Sequence, residues 1–310
     1  MLPVESQVSR AREKGLYFSD LTPALLSVRG KDRVSFLHRL LSNDIKGLQP
    51  GQAKPACLLD RQGKIVFACL AQALPTEVLL AVAPFQLEPA RAALAKYVVS
   101  EAVELENATD RFRTLSVYGP ALKTWTPPAF PAEELFSFTL PLPDPPGRLF
   151  LLSAGRAAET WAGLQQAFQS GGLEPGSPEA FELLRIEAGL PAPGKEITGE
   201  TILNELGRED FVSFTKGCYI GQEIVARIKY RAHPPRLLSG FTLEGTTLPK
   251  EGSPVLHQGQ EAGIVTSACF STTLGKPVAL GFLKYGIETE LQIEGRPARK
   301  TSLPFVSGFS

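Results

Sequence analysis

The chain has 310 residues, of which 43% are hydrophobic, and its 32 Lys+Arg balance 32 Asp+Glu to a formal net charge of zero. That length exceeds one ordinary core and fits two or three domains of about 100–150 residues each. The charge balance counts against a chain that wraps nucleic acid through phosphate contacts, and against an acidic disordered chain.

In chain order, Lys31–Leu41 carries Val34, Leu37 and Leu41 on one helical face, with Phe36 and Leu40 beside them. Ser42-Asn43-Asp44 and the Gly47, Pro50, Gly51 cluster end that helix. Ala56–Leu59 and Ile65–Ala71 read as a hairpin across Asp60-Arg61-Gln62-Gly63-Lys64, with Gly63 placed for a positive φ. Val78–Ala83 reads as a buried strand and Pro84–Val98 as a helix. Short strands follow around Val103, Leu105, Leu115 and Val117. Thr126–Pro146 is proline-rich and aperiodic, and is expected to be a surface excursion outside the core. Leu149–Leu152 reads as a strand, Ala157–Ser170 as a helix stopped by Gly171-Gly172, and Pro178 opens another helix. From Arg236 onward, short apolar runs separated by Gly, Pro and Ser predict a small all-β barrel.

Cys57, Cys69, Cys218 and Cys269 form no CxxC or CxC pair, and His38, His233 and His257 form no HExxH, so no metal site is expected. No apolar run reaches the roughly 18–20 residues of a membrane helix. Met1–Lys14 lacks the apolar stretch of a signal peptide, so a cytoplasmic protein with no membrane contact is expected.

The unusual stretch is Glu179–Arg236. Eight acidic residues face three basic ones from Glu179 to Asp210, and five basic residues face one acidic from Ser213 to Arg236. Such runs are usually solvated faces, but a basic rim also suits an anionic ligand. Within it stands Lys216-Gly217-Cys218-Tyr219-Ile220-Gly221-Gln222-Glu223. The two glycines permit close backbone approach, and Lys216, two positions from Cys218, would put an ammonium where it favours a thiolate. Cys57, Cys69 and Cys269 lie in apolar runs and read as small buried hydrophobes. Glu187 closes the helix ahead of Gly189 and Pro191, where a last polar side chain faces a cleft edge.

The eight positions 216–223 resemble the signature of YgfZ-type folate-binding proteins, relatives of the glycine cleavage T-protein (aminomethyltransferase). Leu37–Asp44, the hairpin Leu58–Lys64, Arg185–Pro191, and Gly263–Ser267 with Leu274-Gly275 are similar to further parts of that family, so the resemblance spans nearly the whole chain. It implies an α+β, multi-domain ring around a central folate channel, ending in a β-barrel. The expected division is 1–235, made of subdomains near 1–110 (with part of 190–235) and 111–190, then the barrel at 236–310.

The resemblance implies tetrahydrofolate, or a one-carbon derivative, as ligand. Glu187 would accept paired N–H bonds from the pterin, and Tyr219, Gln222, Glu223, Arg227 and Arg236 would complete the site. Arg227, Lys229, Arg231 and Arg236 would meet the glutamate tail. Cys218 and Lys216 would carry the chemistry, whether as nucleophile, sulfur relay, disulfide resolver or transient iron ligand. The implied role is accessory to iron–sulfur cluster assembly, maintenance or repair, with assembly factors or client enzymes as partners. T-proteins carry a catalytic Asp after a strand resembling Leu79–Ala83, whereas Glu88 is the only acid there, so ordinary aminomethyl transfer is not expected. Two alternatives stand beside this reading. One is a folate-dependent aminomethyl- or one-carbon transferase using Glu88 or another carboxylate as its base. The other is a non-catalytic folate-binding scaffold.

Overall fold

A computed structural model describes residues 2–19, 21–49, 51–126, 134–140 and 146–306. In chain order the elements are α1 (Val4–Glu13), β1 (Leu16–Phe18), β2 (Ala24–Arg29), α2 (Arg33–Leu40), β3 (Ala53–Leu59), β4 (Ile65–Ala73), β5 (Val78–Val82), α3 (Leu87–Ala95), β6 (Glu104–Asn107) and β7 (Phe112–Tyr118). Then come β8 (Leu135–Leu140), β9 (Gly147–Ser153), α4 (Ala157–Ser170), β10 (Glu174–Pro175), α5 (Pro178–Glu187) and α6 (Gln222–Arg231). The C-terminal strands are β11 (Arg236–Leu243), β12 (Pro254–His257), β13 (Gln260–Ser271), β14 (Lys276–Lys284), β15 (Leu291–Ile293) and β16 (Arg296–Thr301).

Local chemistry sets the first sheet, ordered β3-β4-β5-β2-β6. At the β3–β4 turn, Asp60 Oδ1 accepts the backbone N–H groups of Gln62 (2.8 Å) and Lys64 (2.9 Å). Gly63 takes φ +78°, a conformation that side chains resist. Phe36, Leu37 and Leu40 bring α2 down onto this sheet.

The second sheet runs β10-β1-β7-β9-β8, so β1 leaves the first sheet's neighbourhood and pairs with β7 and β10. β8 corrects the expectation for Thr126–Pro146. Leu135–Leu140 is an edge strand paired along β9, with Phe138 1% exposed among Leu149 and Leu151. Flanking prolines hide its alternation in the sequence. Residues 127–133 and 141–145 of that stretch, and Pro50, lie outside the described residues.

Six strands close the expected barrel, in the order β11-β14-β13-β12-β15-β16. The architecture is therefore mixed α and β with a C-terminal barrel. No helix among the described residues is long and apolar enough to cross a membrane.

Buried ion pairs tie these parts together. Glu77, 3% exposed, accepts from Ser27 Oγ and from both Arg111 amino groups, with Arg29 close by. Burial pushes its carboxyl upward, but Arg111, Ser27 and Arg29 together hold it below the ordinary 4.5. As pH falls, the unfolded chain takes up this proton first. The contribution is thus held above about 4.5 and lost as pH drops through the lower folded value. Urea unfolding midpoints taken from about pH 6 to about pH 3 should show a shallower acid slope for Glu77→Gln than for the wild type.

Candidate functional site

A cavity of about 320 Å³ opens between the first sheet, α5 and two connecting segments. β3–β5 supply Pro55, Ala68, Cys69, Ala81 and Val82, while Leu190–Pro193 and Ile197 form the opposite wall. The 208–211 turn adds Arg208, Asp210 and Phe211. The polar groups here are few. Arg185 is committed to Glu182, Glu196, Ser267 and the Leu190 carbonyl. Burial pushes the Tyr118 phenol up to about 12. Asp210 accepts from Arg208 Nε (2.8 Å) and Nη2 (2.6 Å), and about a third of its side chain remains exposed.

The 190–197 wall is fixed from beneath by Glu196, which is 0% exposed. Its carboxylate accepts from Thr266 Oγ1 (2.6 Å), Ser267 Oγ (2.7 Å), Ala192 N (2.9 Å) and Arg185 Nη1 (3.2 Å). A hydrogen-bonded, paired charge of this kind tolerates burial that an isolated one would not.

Glu187 is placed differently from its expected cleft edge. It is 2% exposed, and its carboxylate is taken by Arg12 of α1 and Ser271 of β13. The last turn of α5 faces α1 and the barrel, so this residue joins structural parts and does not line the cavity.

The 216–223 loop leads into α6, an element the sequence pattern does not predict. Cys218 is exposed, whereas Cys57, Cys69 and Cys269 are buried. Burial drives the Cys57 thiol well up and the Cys69 and Cys269 thiols up to about 12. Gly221 caps α6 with φ +81°, and a Cβ there would meet the Asp60 carbonyl at 2.5 Å. The loop thus docks on the β3–β4 turn through Gly221. Gly217 has open space around it and makes no such approach.

Lys216 does not serve Cys218. Its ammonium donates to the carbonyls of His38, Leu41 and Asn43 at the end of α2, and lies 5.0 Å from the Tyr219 ring centroid. Among the described residues no hydrogen bond joins it to the thiol. Burial lowers its pKa to about 8. The helix C-terminus explains the arrangement, since its last carbonyls lack intrahelical donors and attract a cation.

Tyr219 is likewise an anchor, 9% exposed among Cys57, Leu59, Ile65 and Val225, with burial pushing its phenol up to about 12. Gln222 Oε1 accepts the Tyr219 N–H at 3.2 Å and braces the turn. Glu223 and Arg227 are exposed on α6. Arg236 pairs with Glu205 at 3.1 Å and lies over Phe282, while Lys229 pairs with Glu209. None of Arg227, Lys229, Arg231 and Arg236 lines the cavity. No metal-binding cluster occurs among the described residues.

The glycine cleavage T-protein C-terminal barrel domain matches residues 236–306. The aminomethyltransferase of Chloroherpeton thalassium is 29% identical over 278 residues, covering 83% of this chain and 76% of that protein. The aminomethyltransferase of Shouchella clausii is 30% identical over 296 residues, covering 88% of this chain and 80% of that protein. The chain belongs to the aminomethyltransferase family. Its fold is shared with the glycine cleavage system aminomethyltransferase T from Bartonella henselae, at TM-score 0.84 and 22% identity over 98% of this chain and 90% of that one.

In this member of the aminomethyltransferase family, Glu88 sits on α3 in an exposed pair with Arg91 and does not line the cavity. Of the carboxylates open to the transferase alternative, Glu88 stands away from the cavity and Asp210 lines it. Arg208 and Asp210 are the cavity groups that sequence reasoning missed. In the sequence they merge into the acidic run. The signal that locates them is Ser42-Asn43, whose side chains grip the 208–213 segment.

Proposed function

We propose that this protein binds tetrahydrofolate, or a one-carbon derivative of it, and works as a YgfZ-type accessory protein in iron–sulfur cluster assembly, maintenance or repair. The observation that carries the folate part is the cavity. At about 320 Å³, with mostly apolar walls and one ion pair, it suits a bicyclic ring and leaves the glutamate end of a folate outside. The relatives' name describes aminomethyl transfer. Binding is favoured here because Asp210 is engaged by Arg208 and Glu88 stands away from the cavity.

Cys218 is the reactive group of this reading. It is the exposed one of the four cysteines and stands in the eight-residue loop that resembles the YgfZ signature. One accessible thiol does not hold a cluster alone, so any contact with iron is shared with an assembly factor or a client enzyme in the cytoplasm. Cys218→Ser, placed in cells that lack the native copy, should lower iron–sulfur enzyme activity to the level of the deletion. Its calorimetric folate titration should match the wild type. Full activity of the serine variant would move the assignment to a non-catalytic folate-binding scaffold.

A further inference from the structure

A second cavity, of about 280 Å³, lies against α6, and Arg208 is the one residue that lines both it and the first. Val225, Ile228 and Ala232 recur three and four positions apart on one helix face and supply its apolar side, to which Leu203 and Leu237 add. His233 and Tyr285 also line it. Their rings stack 4.0 Å apart and 6° from parallel, and both residues reach solvent. They give the open side of the cavity a flat aromatic edge.

The Lys and Arg side chains of this lining are both spent. Arg208 donates to Asp210 from Nε and Nη2. Lys229 pairs with Glu209, and its ammonium lies 5.5 Å from the Phe214 ring centroid. An anion entering the cavity would have to compete with a carboxylate already in place for either of them. The polar group left over is an acceptor. Asn204 lines the cavity, and its Nδ2 donates to the Val225 carbonyl at 3.2 Å, which fixes the orientation of the amide. Its Oδ1 is buried and meets no donor among the described residues. A buried acceptor of this kind keeps its desolvation cost until a donor reaches it.

We infer that this second cavity binds a neutral, flat aromatic ring that carries an N–H donor, and that Asn204 Oδ1 accepts that N–H. The ring is neutral because the lining's Lys and Arg are paired, flat because the His233–Tyr285 stack offers a face to lie on, and a donor because the unspent group is an acceptor. A site of this kind rejects an analogue that lacks the N–H, because its own buried polar group is then left unpaired. The inference stands apart from the folate reading, which uses the first cavity. A free indole-type heterocycle and the tryptophan side chain of another protein present the same chemistry.

The probes are indole and benzofuran, which has the same ring system with an oxygen in place of the N–H. In titrations followed by backbone amide NMR shifts, indole should move the signals of Asn204, Phe214, Ile228 and Tyr285 and bind roughly 10-fold more tightly than benzofuran. Asn204→Leu keeps the bulk and removes the acceptor, and should bind the two rings equally. Ala232→Phe tests the same cavity without touching Asn204. Its position is exposed at the end of α6, so the added ring should abolish the indole shifts at an unchanged melting temperature. Tighter binding of N-acetyltryptophanamide than of indole would assign the site to a tryptophan side chain, and weaker binding to a free heterocycle; both results support the site. Equal wild-type affinity for indole and benzofuran would overturn the inference, as would an indole preference that survives Asn204→Leu. So would shifts confined to Ala81 and Ala192 of the first cavity, or no shifts with either ring.

Discussion

Replacing Glu196 with alanine is expected to destabilise the protein by about 3–5 kcal/mol, the range for breaking one side of a buried, hydrogen-bonded ion pair. Glu196 is fully buried and joins four donors from three places: Arg185 on α5, Ala192 on the cavity wall, and Thr266 and Ser267 on β13. Its loss leaves the Ala192 N–H without its acceptor. It also leaves Arg185, whose side chain is 5% exposed, with Glu182 as its remaining carboxylate. Each orphaned buried group keeps its desolvation cost and loses its compensation. The effect should appear as a lower urea midpoint at an unchanged slope. Because Glu196 seats the 190–197 wall, folate affinity should fall with stability. A midpoint shift worth less than about 1 kcal/mol would show that the hub is not needed to hold the barrel against α5.

Elements whose causes are local were legible in the sequence. The β3–β4 hairpin follows from its Asp60–Lys64 turn with Gly63, α5 from Pro178, and the barrel from short apolar runs between turn residues. Ser177 Oγ accepts the Ala180 N–H, and Pro178 occupies a first-turn position where its missing N–H costs nothing. β8 escaped because its pairing with β9 is a tertiary matter, and its Leu-Phe-Ser-Phe-Thr-Leu alternation sits between prolines.

The site was less legible, for a consistent physical reason. Neighbours in sequence need not be neighbours in space where side chains are long. Lys216 reaches the end of α2, more than 170 positions away in the chain, and leaves Cys218 to the solvent. Glu187 stands at the end of its helix, which points to a cleft edge, but the side chain turns inward to Arg12 and Ser271. Arg236, a ligand group by resemblance, pairs with Glu205 at 3.1 Å. Asp210 was hidden in a charge run whose ordinary meaning is a solvated face. Only the grip of Ser42 and Asn43 on its turn, a contact across more than 160 positions, separates it from its acidic neighbours.

The largest expected effect on ligand binding comes from filling the cavity. Ala192 lines it from the connecting segment, and its side chain is partly buried but makes none of the hydrogen bonds that fix the wall. Those bonds run through its backbone, whose N–H donates to Glu196 and whose carbonyl accepts from Lys195, Glu196 and Ile197. Ala192→Trp therefore adds an indole to the space without removing a support. A small-to-large change in a closed core would strain its neighbours, but here the added volume points into a cavity of about 320 Å³.

Isothermal titration of tetrahydrofolate into the wild type and Ala192→Trp, under anaerobic reducing conditions and beside matched thermal melts, is the most direct test of the central claim. The account predicts saturable binding by the wild type and none measurable by the tryptophan variant at a native-like melting temperature. Equal binding by the two proteins would place the folate elsewhere and contradict it.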